Sequence, residues 1–386
     1  MTNKKKHLLF ITKHDPYALG GGAYATRAYL RAFSVIFEGQ IDICIADSCE
    51  PFGSDIQHDC LHRVEKRPLI HRLLSFLTGD MHRYTSFVKQ LLQKHKEKYA
   101  ICVFDQNAVG GTLVNYVNKL GLKTITIHHN YEPEYYKANE KNNIVKCLLL
   151  PQIKRVEKRS YKNSCMNLFL TTDDLNMFEL IYGKPKGLNK MIGCFEYANY
   201  QIRNKNNSAN EKPVFVITGS LNCFETKEAL QFFFSELYEE IPSDSQIIIA
   251  GRNPDKEIEE WCQSYTNVQL IPNPKEMYEI INKADIYLST NRLGGGLKLR
   301  LMDGISNGLP VLAHRTSARG YEAFMEIEAL YTFKDKISFK SSIEKMLTRH
   351  QKGLFSKDQI QATYRKSFSF EAGVKRLQDI LMESDC

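Results

Sequence analysis

The sequence predicts an α/β protein of two Rossmann-like domains, and three observations carry the prediction. Short apolar runs of strand length alternate with longer helical patterns from end to end, the order expected of a parallel sheet covered by helices. The alternation lapses once, over the polar, lysine- and asparagine-rich stretch Tyr200–Lys212, and then restarts. A chain of 386 residues is also too long for one ordinary core. The expected boundaries are a first domain over 1–199, a linker over 200–212, a second domain over 213–366 and a terminal helical segment over 367–386.

In the first half, Leu8–Thr12, Ile41–Ile45, Ile101–Phe104, Lys123–His128 and Leu168–Thr171 read as buried strands. A helix is expected from about Ala23 to Phe37. Beyond the linker, Val214–Thr218, Gln246–Ala250, Val268–Ile271, Asp285–Thr290 and Pro310–His314 repeat the pattern. In the last segment Phe370, Val374, Leu377 and Leu381 recur on one face of a helix.

Composition narrows the class. Hydrophobic residues at 43% and charged residues at 25% are those of a soluble globular chain, and no apolar run is long enough to span a bilayer. Leu8–Ile11 is too short for a signal-peptide core and reads as the first strand. The ten cysteines include no Cys-x-x-Cys pair, so neither a zinc site nor a disulfide framework is indicated, and a reducing cytoplasm fits. Part of the net charge of +8 is gathered in Arg63–Lys98, around Lys66, Arg67, Arg72, Arg83, Lys89, Lys94, Lys96 and Lys98. Inside it, Leu69–Leu77 places apolar residues on one helical face. Such a helix suits peripheral contact with the inner face of an anionic membrane. The competing reading is a helix packed on the sheet with a solvated basic face, which core-like Val88, Leu91 and Leu92 in the next helix favour. No recognition motif for nucleic acid accompanies the charge.

The densest signal is Gly294–Leu312. It reads as a glycine loop opening a helix that stops at Asn307-Gly308 and passes through Pro310 into a strand. With the run before it, this is a βαβ unit whose ligand side is the glycine loop. Gly294, Gly295 and Gly296 would let backbone N–H groups approach an anion closely. Lys298 and Arg300 put positive charge in the first helical turn, where a helix alone prefers acids; a phosphate ligand would account for the inversion. Asp303, further along, could accept hydrogen bonds from sugar hydroxyls. Gly20-Gly21-Gly22 repeats the arrangement after the first strand, with Asp15 just before it. Asp105, at the end of another strand, is read equally as an acceptor-side residue or a helix cap. His128 and His129 follow a strand directly. Adjacent residues on an extended chain point opposite ways, so they do not make a metal pair.

The pattern of loop, helix and Gly-Leu-Pro-Val resembles the nucleotide-sugar site of retaining glycosyltransferases of the GT-B fold, the group 1 or family 4-like enzymes. The resemblance implies two Rossmann-like domains facing a cleft, with a C-terminal helix crossing back to the first domain. Of the two glutamates that many members carry, Asp303 falls at the second position, which binds the ribose, and Gly295 at the first; members with Gly-x-Gly-x-Lys here also lack the first. His129-Asn130 with Glu132 and Tyr135 is similar to the family's His-Asn-x-Glu-x-x-Tyr motif, which implies that His129 contacts the donor sugar, with His128 as the fallback. Gly20–Gly22 would face the sugar diphosphate and acceptor. Gly219 and Ser220 would face the donor phosphates, without the arginine and lysine of many members; Lys227 is not carried over. Lys298, with Gly294–Leu297 and Arg300, would hold the diphosphate; Arg252 and the loop around Asn273 would lie at the nucleotide.

The implied activity is transfer of a sugar from a nucleotide diphosphate-sugar to an acceptor hydroxyl with retention, in polysaccharide or lipid-linked glycan synthesis. His129, Lys298 and Asp303 would be the catalytic residues, and no metal or other cofactor is expected. Two rivals share the fold: a nucleotide-sugar epimerase, and a catalytically silent partner subunit.

Overall fold

A computed structural model of the chain describes residues 7–18, 20–49, 52–66, 68–139, 142–196 and 212–383. The expected linker, Lys212 apart, lies outside these residues. The chain divides into two compact units, Met1–Asn199 with Ser369–Cys386, and Tyr200–Phe368.

The first unit holds β1 (His7–Thr12), β2 (Ile41–Ala46), β3 (Cys60–Val64), β4 (Tyr99–Asp105), β5 (Lys123–His128), β6 (Met166–Phe169) and β7 (Leu188–Met191). They form one parallel sheet in the order β3-β2-β1-β4-β5-β6-β7. Its helices are α1 (Gly21–Ile36), α2 (Leu69–Thr78), α3 (His82–His95), α4 (Asn107–Lys119), α5 (Glu132–Asn139), α6 (Asn143–Asn163) and α7 (Thr172–Tyr182). Every residue of β1 and β2 is buried, as expected of strands covered on both faces; β1 reads as an apolar run over Leu8–Ile11, and β2 as one interrupted only by Asp42. The order reverses between β1 and β4, so the carboxyl ends of these two strands border the place where ligands bind in such sheets.

One helix behaves against expectation. The reading in which Leu69–Leu77 packs its apolar face on the sheet is overturned: α2 buries none of its ten residues. Its polar edge turns to the protein instead, where Ser75 Oγ accepts from the His82 amide at 3.1 Å and Thr78 Oγ1 lies 2.9 Å from His82 Nε2.

The second unit holds β8 (Val214–Ser220), β9 (Gln246–Arg252), β10 (Val268–Pro272), β11 (Ile286–Ser289), β12 (Val311–His314) and β13 (Leu330–Phe333). The sheet is again parallel, in the order β10-β9-β8-β11-β12-β13, with its reversal between β8 and β11. Its helices are α8 (Phe224–Phe232), α9 (Lys256–Gln263), α10 (Met277–Ile281), α11 (Arg300–Ser306), α12 (Glu322–Glu326), α13 (Lys336–Gln351) and α14 (Lys357–Phe368). Phe215, Ile217, Ile247, Ile249, Leu288 and Leu312 pack with Phe339 and Ile343 of α13 as its core.

The last segment is two helices, since α14 ends at Phe368 and α15 (Phe370–Glu383) begins after Ser369. α15 packs within the first unit. The Arg31 guanidinium of α1 lies 4.7 Å from the Phe370 ring centroid, and Lys190 of β7 pairs with Glu383 at 2.6 Å. A Cβ on Gly373 would collide with the Phe195 ring, so glycine is what lets α15 approach so closely.

Candidate active site

At the switch point of the first sheet, three consecutive strand ends supply one hydrogen-bonded cluster. Asp105 closes β4 with no exposed surface and accepts from Thr12 Oγ1 of β1 at 2.7 Å and Thr26 Oγ1 of α1 at 2.6 Å. His129, one residue past β5, places Nε2 2.7 Å from Asp105 Oδ1. Burial alone would raise the Asp105 carboxyl. The charge and hydrogen bond of His129, with His14 and Thr26, outweigh it and hold the group at about 2. Asp105 is not the cap of α4, whose N-cap is Gln106; it fixes the ring of His129. A carboxylate in that place sets which imidazole nitrogen carries the proton.

Two further residues join this cluster, and the sequence reading passed over both. His14 stacks on His129 with ring centroids 6.1 Å apart, and burial lowers its imidazole to about 4, so it is neutral near neutral pH. Gln106 beside it has φ 81, a conformation costly for a side-chain-bearing residue, and its buried Oε1 finds no partner among the described residues. The glycines have distinct jobs. Gly20, at φ 141, caps α1, whereas Gly21 and Gly22 lie inside the helix. A Cβ on Gly22 would stand 3.1 Å from the His14 ring. Asp15 forms a turn, its Oδ1 accepting from the Tyr17 amide at 2.9 Å.

His128 is excluded as the fallback. It is fully buried, bonded to Asn167 Oδ1 at 2.9 Å and stacked on Phe169 at 4.9 Å, and burial lowers its imidazole to about 4. The two histidines take opposite sides of the strand, and the core claims the first.

In the second unit the glycine loop leaves β11 with Gly294 at φ 84 and Gly296 at φ 67, both left-handed turns that glycine makes without strain. The helix begins later than expected. α11 starts at Arg300 with Leu299 as its N-cap, so Lys298 belongs to the loop and not to the first turn. Its ammonium sits over Gly294, where a Cβ would stand 2.7 Å from Nζ and 3.9 Å from Glu225 Oε1. Tyr321 donates to the Lys298 carbonyl at 2.9 Å and fixes the backbone there.

Arg300 turns inward from α11 to the end of β8. Nη1 donates to the Thr218 carbonyl at 3.2 Å and to Thr226 Oγ1 at 3.1 Å. A Cβ on Gly219 would collide with that guanidinium and stand 2.8 Å from Thr226 Cγ2. Gly219 is thus a glycine because Arg300 passes under it. The guanidinium supplies a cation at the strand end where Ser220 offers none. Lys227 is occupied elsewhere, by Asp255 at 2.8 Å and by Glu257.

Asp303 lies one turn beyond Arg300. Burial pushes its carboxyl up to about 6 against the opposing charge of Arg300. Gly304 lets the helix settle on β11, since a Cβ there would stand 2.5 Å from Tyr287 Cγ. Arg252, at the end of β9, is exposed. Asn273 joins the loops after β9 and β10: its Oδ1 accepts from the Asn253 amide at 2.9 Å and its amide donates to the Gly251 carbonyl at 2.7 Å. Gly294–Leu297, Lys298, Arg300, Asp303, Gly219 and Ser220 therefore gather at the β8–β11 switch point, while Arg252 and Asn273 flank it.

Residues 212–349 match the family model described as Glycosyl transferases group 1. The matched segment contains all of these second-unit residues. The fold is that of GT-B glycosyltransferases, with two parallel-sheet, Rossmann-like units. Sucrose-phosphate synthase from Thermosynechococcus elongatus superposes with a TM-score of 0.68 at 15% identity over 98% of both chains. HepE from Anabaena, in complex with UDP, gives 0.65 at 11% over 98% of this chain and 100% of its own. The catalytic domain of Starch Synthase IV from Arabidopsis thaliana, bound to ADP and acarbose, gives 0.65 at 12% over 98% and 99%. The sequence has no match among curated proteins.

One histidine–carboxylate group among the described residues has the spacing of a cation site: His7, Asp42 and Asp59. A cation already stands there. Lys98 Nζ lies 2.8 Å from Asp42 Oδ2 and 3.0 Å from Asp59 Oδ2, and Tyr99 also donates to Asp42. His7 opens β1 and Tyr99 opens β4, so this ion-pair network borders the amino ends of the strands, opposite the switch-point cluster.

Proposed function

We propose that this chain moves a sugar from a nucleotide diphosphate-sugar to an acceptor hydroxyl, with retention, in the assembly of a polysaccharide or lipid-linked glycan. One observation carries the proposal: two cations and a carboxylate, Lys298, Arg300 and Asp303, stand around the glycine loops at the switch point of the second sheet, inside the matched family segment. In the transfer, the bond between the sugar's anomeric carbon and the diphosphate breaks and negative charge builds on the leaving group. Lys298, Arg300 and the N–H groups of the Gly294–Gly296 loop are the groups that stabilise it. Asp303 accepts from the ribose hydroxyls. His129, with its ring fixed by Asp105, orients the donor sugar, and His14 stacked on it narrows the ring's freedom. Retention proceeds on one face of the sugar without a protein nucleophile.

Support comes from three sides. The family match covers the glycine loops of the second unit, the solved structures of HepE hold UDP or UDP-glucose, and the charge at those loops suits a diphosphate. The silent-partner reading rested on the missing first glutamate and the missing arginine; against the second, Arg300 reaches the strand end beside Ser220 from α11. An epimerase would need a carboxylate ready to exchange protons in the first unit, whereas Asp105 there is held ionised by three donors.

The test is a thermal-shift screen with UDP, GDP, ADP, dTDP and CMP, followed by the matching sugar nucleotides and a readout of nucleotide release. One nucleotide should raise the melting temperature selectively, and Lys298→Ala should abolish the shift by weakening diphosphate binding about tenfold or more. Absence of any shift well above millimolar ligand, or equal shifts in the variant, would refute the site.

A further inference from the structure

We infer that α2, with the first turns of α6, forms a docking face for an anionic lipid bilayer. α2 is mounted inside out. Leu69, Ile70, Leu73, Leu74, Phe76 and Leu77 are exposed, the first by 80% and the least, Leu74, by 37%. At helical spacing these six fall within one arc, opposite His71, Ser75 and Thr78. It is that polar edge which meets the protein, through the contacts of Ser75 and Thr78 with His82. A surface helix of a globular protein is normally mounted the other way, because burying the apolar face is what stabilises it.

The mounting is definite. Gly79, at φ 79, ends α2, and a Cβ there would stand 2.8 Å from Val156 Cγ2 and 3.1 Å from the Gln152 carbonyl of α6. On α6, Ile144 and Leu148 share a stripe with Gln152 and are 72% and 51% exposed. The apolar surface therefore continues along α6 from its contact with α2.

Charge selects the occupant. From Lys66 to Lys96 the single acid is Asp80, and from Asn142 to Asn163 it is Glu157. Both are buried and bonded, Asp80 to the Thr112 amide and Arg159, Glu157 to Asn107, Tyr182 and the Glu132 amide. The cations that remain include Lys66, Arg72, Lys154, Arg155 and Lys158, all exposed. An aliphatic face rimmed by cations, with no exposed acid within these two stretches and with Glu65 and Glu134 lying beyond them, fits anionic headgroups over acyl chains. A second copy of the same face would bring like charges together. Among the described residues no helix is long and apolar enough to cross a membrane, so the contact is peripheral.

This inference does not depend on the transfer reaction, and its test reads lipid binding alone. The full chain is sedimented with vesicles of phosphatidylglycerol and phosphatidylcholine in equal parts, and with phosphatidylcholine alone. Binding to the mixed vesicles should exceed binding to the neutral ones and fall with added salt. Each exposed cation reversed, as in Arg72→Glu, should weaken it about fivefold or more. Leu73→Glu with Leu77→Glu should abolish it and leave thermal unfolding unchanged, because neither leucine is buried. Ile337→Glu, at an 84% exposed position of the second unit, is the control that should bind as the natural chain does. No sedimentation of the natural chain, or equal binding by the double variant, overturns the inference. So does a lipid-free dimer that the double variant disperses, which would make the occupant a second copy.

Discussion

Asp105→Asn removes the carboxylate to which Thr12, Thr26 and His129 are bonded. In the native unit the carboxyl is held at about 2 against an ordinary value of 3.8, although burial pushes the other way. A depression of that size corresponds to about 2 kcal/mol of stability. The sign is that of a depressed acid: the contribution is complete above pH 4 and is lost as pH falls through about 2. Asparagine keeps the shape but offers Thr12, Thr26 and His129 a neutral acceptor, and its amide turns a donor toward one of them. We expect urea unfolding at pH 7 to show a loss of about 2 kcal/mol in the first unit, and Asp105→Ala about 3–5 kcal/mol, since it strands three buried partners. The chemical effect should be larger than the structural one. With His129 no longer fixed in ring orientation and proton placement, sugar transfer should slow roughly 10²-fold. Nucleoside diphosphate affinity should stay within a factor of about two, because those contacts belong to the second unit. A variant with native stability and native turnover would refute the claim that Asp105 positions His129.

The histidine pair provides an internal contrast. His128→Asn should cost about 2–4 kcal/mol of stability through its lost packing among Phe169, Phe178 and Tyr161 and leave turnover per folded molecule near normal, whereas His129→Asn should slow turnover per folded molecule and cost stability only through its bond to Asp105. Unfolding curves and single-turnover rates on both variants decide it; swapped outcomes would exchange their roles. Gly219→Ala should destabilise the second unit by about 1–3 kcal/mol and weaken diphosphate binding, because its Cβ displaces the Arg300 guanidinium. Calorimetric titration of the variant with the nucleotide found in the screen reads both affinity and stoichiometry, and unchanged affinity would show that Arg300 does not serve the ligand.

Much of the fold was legible because central strands of a parallel sheet are buried on both faces. β1, β2 and β5, rich in Ile, Leu and Thr, announce themselves as strands at nearly their observed bounds. β3, β7 and β13 went unread. Each is an edge strand; β3 and β13 mix half-buried or exposed residues with buried ones and β7 buries none, so no continuous apolar run marks them. The glycine loops were found for a sound reason with part of the wrong cause. Gly294 and Gly296 need left-handed backbone, but Gly219, Gly22 and Gly304 are small to admit Arg300, His14 and Tyr287, neighbours that only the fold brings together. The strained Gln106 carries no local signature at all, since its φ is imposed by what surrounds it. α2 shows the limit of periodicity: the pattern identifies a face but not the side on which it is mounted.

Two carboxylates, one in each unit, stand in contrasting surroundings. Asp105 accepts from three donors and is held at about 2; the Asp303 carboxyl, unlike its carbonyl, accepts from no side chain among the described residues, and burial lifts it to about 6. The first has spent its acceptor capacity inside the protein, so its work is to hold. The second has kept its capacity, at a cost in stability that grows as pH rises from about 4 through 6, and a ligand that donates to it recovers that cost. Ribose hydroxyls are such donors. Binding should therefore favour the ionised carboxyl and release a proton near pH 6, so that nucleotide affinity rises with pH below about 6, by at most tenfold per unit, and levels off above it. The diphosphate titrates in the same range, and Asp303→Asn separates the two: its profile retains only the ligand's own titration. If the natural chain and the variant gave parallel profiles, Asp303 would not be a ligand group, and its raised carboxyl would be a consequence of packing beneath the glycine loop.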